Sequence, residues 1–154
     1  MLQLQVLQLQ LQILMKRLER RLAIFKIAKA SLGIDISPLD VISDDLGCAE
    51  SVSWILKKAI GFPIITGTWS LLEYLKNDNR FEQVTELEIG CIIISATGTG
   101  NGKIRGHVGI VGEDKIMSSD SLDGIWKENY TSLSWKERYG QQGSMPIYLF
   151  RLKV

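Results

Sequence analysis

The sequence predicts an α+β fold in which helices come first along the chain and an antiparallel sheet follows. In the first half, apolar residues recur every three or four positions, which is typical of helices packed on a core. From Phe81 onward, short β-branched runs alternate with glycine-rich loops and tight turns, which is typical of strands. A chain of 154 residues is long enough for one domain with a sizeable core.

Residues 2–14 alternate leucine and glutamine, but the alternation slips at Val6-Leu7, where a strand would turn its apolar residues to the other face. A helix accommodates these residues, because the leucines at positions 4, 7, 11, 14 and 18 follow the spacing of a heptad seam. We therefore predict a long amphipathic helix from about Gln3 to Leu32, ending at Gly33. Residues 1–22 are expected to be an N-terminal amphipathic helical extension, and residues 23–154 the main domain.

Three roles are open for the N-terminal segment: packing on the domain, self-association through residues 1–30, or attachment to a larger assembly such as a virion. Membrane binding is less favoured, because glutamines occupy the polar face of its first half. Residues 1–30 carry a net charge of +5, so that the remaining residues carry −4 of the chain's total of +1. This total gives no reason to expect a nucleic-acid partner.

The second predicted helix begins near Gly47 and places Cys48 at its N-terminus. The helix is expected to end at Gly61, and its buried face comprises Val52, Ile55, Leu56 and Ala59. The first turn of a helix has free backbone N–H groups and a partial positive charge, which favour a thiolate and can stabilise an oxyanion. Cys48 is therefore a candidate nucleophile.

The remaining elements are predicted from turn residues and periodicity. They are a short turn or helix over residues 37–41, a helix from Thr66 or Thr68 to residues 77–79, strands over 91–94, 107–111, 115–119 and 147–152, and a helical turn over 133–139. Leu71, Leu72 and Leu75 are expected to face the core.

The single histidine, His107, begins one of these strands and is the candidate base for Cys48. Such a pair needs a third group that orients the imidazole. The turn at 112–114 returns the chain beside His107, so Asp120 is the expected third group, with Ser118 or Ser119 as weaker alternatives. Each residue also has a structural interpretation: a buried thiol, a core histidine, and an aspartate that makes a local turn.

The stretches Gly47-Cys48-Ala49-Glu50-Ser51-Val52 and Gly106-His107-Val108-Gly109-Ile110-Val111 resemble the NlpC/P60 and CHAP superfamily of peptidoglycan hydrolases, more narrowly its small phage and prophage members. The resemblance covers roughly residues 23–154. It implies a papain-like fold, no cofactor, and cleavage of amide bonds in the peptide stems of bacterial peptidoglycan. Cys48 matches the family nucleophile and His107 its base. Gly47-Cys48-Ala49, Gly90-Cys91 and the third catalytic position depart from the family pattern.

The residues expected to contact the substrate are Gly47, Glu50, Gly106, Ser119 and Trp126. Trp135 is a further candidate, whereas Trp54 and Trp69 are expected in the core. The glycine-rich loop over residues 97–102 is expected to form a flexible rim of the cleft. Two cysteines and one histidine do not supply the usual four zinc ligands, so no metal is expected.

No stretch is apolar for long enough to cross a bilayer, and no signal peptide is recognisable. We therefore expect a protein made in the host cytoplasm that reaches the cell wall by release at lysis or as part of a virion. The alternative is a non-catalytic structural or assembly protein of a virion that retains the fold and works through its N-terminal helix.

Overall fold

The computed structural model describes residues 1–37 and 47–153. Its helices are α1 (Leu2–Ala30), α2 (Cys48–Ile60), α3 (Thr68–Asn77) and the short α4 (Ser132–Trp135), which continues directly into a π-helix (Lys136–Gln142). Its strands are β1 (Phe81–Val84), β2 (Ile92–Ser95), β3 (His107–Val111), β4 (Ile116–Ser119), β5 (Trp126–Tyr130) and β6 (Tyr148–Leu152).

The strands form one sheet in the order β1-β6-β2-β3-β4-β5, and every neighbouring pair is antiparallel. The prediction of an α+β fold is therefore confirmed. Strand β2 is entirely buried between β6 and β3, as its β-branched sequence predicts for a central strand. The strand that begins at His107 lies beside it, with Ser95 directly opposite His107.

Successive side chains of a strand point to opposite faces, and this alternation gives the domain two apolar clusters. On one face, Val108 and Ile110 of β3 pack with residues of α1, α2 and α3, including Cys48. On the other face, Val111 packs with Trp135 and the residues around it. The sheet therefore separates the helix that carries Cys48 from the aromatic residues of α4 and the π-helix.

The end of α1 packs on the domain, whereas its first two-thirds project from it. Ile24 and Ala28 are fully buried, and Arg21 donates a hydrogen bond from Nε to the Leu152 carbonyl at 2.8 Å. At Gly90, where φ is +87°, a Cβ atom would lie 2.6 Å from the Arg21 carbonyl oxygen, so glycine permits this close approach. Every side chain from Leu2 to Arg20 is exposed.

The long N-terminal helix is confirmed, ending two residues before the predicted position. The division into an extension and a domain at residue 22 stays a prediction, because α1 passes through it without a break. Within residues 1–37 and 47–153, no helix is both long enough and apolar enough to cross a membrane.

Helix α2 begins at Cys48 and ends at Gly61, which has φ +72°, as predicted. The structure adds β1 and β5, which are not among the predicted strands, and extends the helical turn predicted over 133–139 to residues 132–142. The turn or helix predicted over residues 37–41 falls largely outside the described residues.

Candidate active site

The thiol of Cys48 lies at the start of α2, where that helix meets β3. Its residue is only 6% exposed, and the sulfur takes part in no disulfide. Burial raises the pKa of Cys48 to about 11, although the backbone N–H groups of Val108, Ala49 and Cys48 itself favour the thiolate. The thiol is therefore protonated near neutral pH, in spite of its place at a helix N-terminus.

The N–H group of Val108 is available to the sulfur because β3 and β4 separate at this end of the sheet. The N–H of Val111 donates to the Cys91 carbonyl, and its C=O accepts from the Gly90 N–H, so both groups point toward the β2 side. Because the backbone groups of successive strand residues point to opposite sides, those of Val108 point toward β4. The ladder between β3 and β4 includes only the pairs Ile110–Met117 and Val111–Ile116. Cys48 thus approaches the sheet at the point where the two strands diverge.

The ring of His107 is fixed by two polar side chains from the next two strands. Its Nε2 lies 2.9 Å from Ser118 Oγ, and Ser118 donates its hydroxyl hydrogen to Asn129 Oδ1 at 2.6 Å. Because the single hydrogen of Ser118 goes to Asn129, Ser118 accepts from Nε2–H. In this arrangement the lone pair of the neutral imidazole lies on Nδ1, and that nitrogen can act as a base.

Three aromatic rings surround the imidazole. The ring centroids of Trp135, Tyr139 and Tyr130 lie 5.4, 5.6 and 5.6 Å from that of His107, with Trp135 and Tyr139 stacked on it. Burial lowers the pKa of His107 to about 4, and the negative charge of Asp120 opposes this shift only in part. The imidazole is therefore neutral at pH 7.

The backbone N–H of Val108, the residue that follows His107, hydrogen-bonds the Cys48 sulfur, so the thiol lies close to the start of β3. The pKa of Tyr139 is raised by burial first, then by its hydrogen bond with Tyr130, and also by the charge of Cys48. Cys48 therefore acts electrostatically on one of the rings that surround His107. Among the described contacts, no hydrogen bond joins Cys48 to His107. The pKa values of about 11 and about 4 make the resting pair a neutral thiol and a neutral base at pH 7.

The prediction that Asp120 orients the imidazole is corrected by these contacts, because Ser118 makes that hydrogen bond. The carboxylate of Asp120 instead accepts from the backbone N–H of Leu122 at 2.8 Å and from Lys127 Nζ at 3.0 Å. Asp120 follows the last residue of β4, so its short side chain closes the turn that begins there. The geometry agrees with two alternatives considered from the sequence: Asp120 makes a local turn, and Ser118 hydrogen-bonds the imidazole.

A cleft of about 440 Å³ opens beside His107. Its described lining is mostly basic, polar or aromatic, with one isoleucine, one glycine and one aspartate: Lys103, Ile104, Arg105, Gly106, His107, Ser119, Asp120, Ser121, Asn129, Tyr130, Arg138 and Tyr139. Gly106 and Ser119, two of the predicted substrate contacts, are in this lining, and Cys48 is not. Of the two proposed catalytic residues, therefore, His107 lines the cleft and Cys48 does not.

Two other predicted substrate contacts are wrong, because their side chains are fully buried. Glu50 accepts hydrogen bonds from Ser37 Oγ at 2.9 Å and Thr66 Oγ1 at 3.5 Å, and so fastens two connecting segments to α2. Trp126 packs in the core and donates from Nε1 to the Ala28 carbonyl at 3.0 Å. It therefore anchors α1.

Gly47, the remaining predicted contact, is the buried N-cap of α2, and its carbonyl accepts hydrogen bonds from Ser51. The sequence also placed Trp135 at the substrate and Trp69 in the core, and the structure shows the opposite burial for these two residues. Trp135 is fully buried and donates to Ser95 Oγ at 3.2 Å, whereas Trp69 is half exposed. The glycine-rich loop is held at Asn101, which bonds the carbonyls of Gln142 and Gly143.

Sequence reasoning missed Asn129, Tyr130 and Tyr139. The first two belong to β5, whose aromatic ends and turn-bounded length were the available signal. Within residues 1–37 and 47–153, no group of three or more His, Cys, Asp or Glu side chains is placed to hold a metal ion. The chain matches no protein-family model and no curated protein in the comparisons, so the site stands on its own geometry.

Proposed function

We propose that this protein is a cysteine peptidase or amidase that cleaves amide bonds in the peptide stems of peptidoglycan. The observation that carries the proposal is the anchoring of His107 through Nε2 by Ser118 and Asn129, which leaves Nδ1 to act as a base. The helix-start thiol of Cys48 is hydrogen-bonded by the backbone of Val108, the next residue of β3. The α+β arrangement agrees with a papain-like fold. The substrate class rests on the resemblance of the two motifs to NlpC/P60 and CHAP enzymes.

In the proposed reaction, Cys48 Sγ attacks the amide carbonyl carbon while His107 Nδ1 takes the thiol proton. Because the thiol pKa is about 11, only about one molecule in ten thousand holds a thiolate at pH 7. Proton transfer must therefore accompany the attack. The N–H groups at the start of α2 stabilise the oxyanion, and the imidazolium then protonates the leaving amine. Water hydrolyses the thioester, with His107 again as the base.

The charges of the cleft support an acidic peptide as the substrate. Lys103, Arg105 and Arg138 line it with one carboxylate, that of Asp120, which is paired with Lys127. Peptide stems carry free carboxylates, and basic side chains bind such groups by charge-assisted hydrogen bonds. On this proposal the protein acts at a bacterial cell wall, and a phage or prophage is its expected source.

A second candidate function is a non-catalytic virion component with the same fold. Two observations favour it: Cys48 is nearly inaccessible and does not line the described cleft, and α1 exposes apolar side chains over most of its length. In this case the Cys48 thiol would be a small core residue, and α1 would provide the working surface.

Digestion of purified cell walls by the wild type, Cys48→Ala and Cys91→Ala separates the two candidates. Cys91 is the matched control because it is the other buried free cysteine and lies in the cluster around Trp135. We expect the wild type and Cys91→Ala to reduce turbidity and release new amines, and Cys48→Ala to do neither. Mass spectrometry of the amines identifies the bond. Equal lysis by all three would exclude Cys48 as nucleophile, and no lysis on several wall types would favour the virion component.

Ser118→Ala is expected to reduce kcat by about tenfold to a hundredfold with little change in KM, because Ser118 positions His107 without touching the substrate. The loss is smaller than the roughly 10⁴-fold effect of removing a charged orienting group, since a hydroxyl is neutral. Asp120→Asn keeps the turn and should change kcat by less than about threefold, since no hydrogen bond in the described part of the chain joins residue 120 to the imidazole. A larger loss in Asp120→Asn than in Ser118→Ala would restore Asp120 as the orienting residue.

A further inference from the structure

Helix α1 carries two separate apolar faces over residues 2–18. The first face comprises Leu4, Leu7, Leu11, Leu14, Met15 and Leu18, and the second comprises Leu2, Val6, Leu9 and Ile13. At 3.6 residues per turn, the centres of the two faces lie about 160° apart around the helix axis. Two stripes of glutamine separate them, one with Gln5, Gln8 and Gln12 and the other with Gln3 and Gln10.

Both faces are open to solvent in the single chain. The side chains of the first face are 46–61% exposed and those of the second 42–75% exposed. Six half-exposed aliphatic side chains offer on the order of 500 Å² per helix. A pair of helices joined through the first face alone would bury about 1,000 Å², which is at the lower limit for a specific interface. It would also leave the second face in water.

The charges of the segment indicate an identical chain as the partner. From Leu2 to Met15 there is no charged side chain, so copies of this helix meet without like-charge repulsion. A helix bound to an anionic surface needs cations along its polar face, and here that face holds only glutamines until Lys16. The spacing of the first face, alternately three and four residues up to Leu14, also matches knobs-into-holes packing between like helices.

We propose that residues 2–18 assemble copies of this protein into a layer of helices, in which each helix packs between two neighbours through its two opposite apolar faces. Each helix then makes two different contacts, one through each face, and a pair of chains joined through one face leaves the other face unpaired. The assembly therefore exceeds a dimer and grows with protein concentration. The inference is independent of the proposed hydrolase activity, because the site lies in the domain and the two faces lie outside it.

The test is the mass of the 154-residue protein in solution, measured by sedimentation velocity and light scattering over about a hundredfold range of concentration. We expect the wild type to exceed two chains. The first-face variant Leu7→Gln/Leu14→Gln and the second-face variant Leu9→Gln/Ile13→Gln should each stop at two chains, and the combined variant should be monomeric. Gln5→Ala/Gln12→Ala, in a polar stripe, should assemble as the wild type does.

Glutamine is a good helix former, and the substituted side chains lie outside the domain core, so the fold should be unchanged in the near-ultraviolet signal of the buried Trp126 and Trp135. A wild type that is monomeric at all concentrations would overturn the proposal. So would a wild-type dimer that the second-face variant leaves unchanged, or a combined variant that still assembles. A monomer that sediments with phosphatidylglycerol vesicles would replace the proposed occupant with a membrane surface.

Discussion

His107→Gln is expected to lower the rate of amide cleavage by about a thousandfold or more, because it removes the base. It keeps the hydrogen bond to Ser118 that positions the side chain. The amide of Gln can still donate a hydrogen bond to Ser118 Oγ, which Nε2 contacts at 2.9 Å in the wild type. The cavity among Trp135, Tyr139 and Tyr130 stays filled. The measurement is single-turnover cleavage of wall fragments, with circular dichroism to show that the variant is folded.

The control for this prediction is the double variant Cys48→Ala/His107→Gln. If the two residues act as one unit, the double variant should be no slower than Cys48→Ala alone. Two losses that multiply would show that the residues act separately, and the proposed pair would then be wrong. Retention of more than about a tenth of the activity by His107→Gln would also exclude His107 as the base.

The elements that carry Cys48 and His107 were predictable because their signals are local. The face of α2 is set by apolar residues at helical spacing, and Gly61 supplies the left-handed residue that ends the helix. The strand from His107 to Val111 is a β-branched run that a turn at Gly112 returns on itself. Such signals need no knowledge of distant residues, so the sequence alone was sufficient.

The partner of His107 was not predictable in the same way, because it depends on how three strands align. The pairing of β4 with β5 shifts between Ile116 and Ser118, where an extra residue of β5 is accommodated. This irregularity accompanies the contact between Asn129 and Ser118, two residues of neighbouring strands that meet at 2.6 Å. A sequence in which Asn129 stands between Lys127 and Tyr130 gives no sign of that bulge.

Burial of the tryptophans was likewise a property of the assembled fold. Trp126 and Trp69 both follow short loops, yet the first is fully buried under α1 and the second is half exposed. Trp126 is held in the core by the end of α1, which supplies the Ala28 carbonyl to its indole. That contact spans nearly a hundred positions of sequence, and no local pattern encodes it.

The same burial that makes Cys48 and His107 neutral at pH 7 predicts how stability depends on pH. The pKa of Cys48 rises from its ordinary value of 9.0 to about 11 in the folded protein, so the unfolded chain loses its proton first. Between these values the folded state binds more protons, and its stability falls as the pH rises. Cys48→Ala should remove this fall in the free energy of unfolding at alkaline pH. Urea titrations of both proteins at pH 8 and above would measure the difference.

At acid pH the expected effect is larger, and it belongs to His107. Its pKa is about 4 in the folded protein and 6.5 in the unfolded chain, so between these values the unfolded chain binds more protons. Stability therefore rises with pH in this range and is lost as the pH falls from 6.5 toward 4. The free energy of unfolding should decrease by about 3 kcal/mol from this residue alone.

The measurement is urea unfolding of the wild type and His107→Gln at pH 7.5 and at pH 4. Asp78 and Glu82 also lose stabilising ion pairs with Arg80 and Arg151 as the pH falls, and both proteins share that loss. The contribution of His107 is the difference between the two proteins, and it should be about 3 kcal/mol in favour of the variant at the lower pH. Parallel losses in both proteins would mean that His107 is solvated in the folded state. That result would contradict its enclosure by Trp135 and Tyr139, on which the proposed neutral base depends.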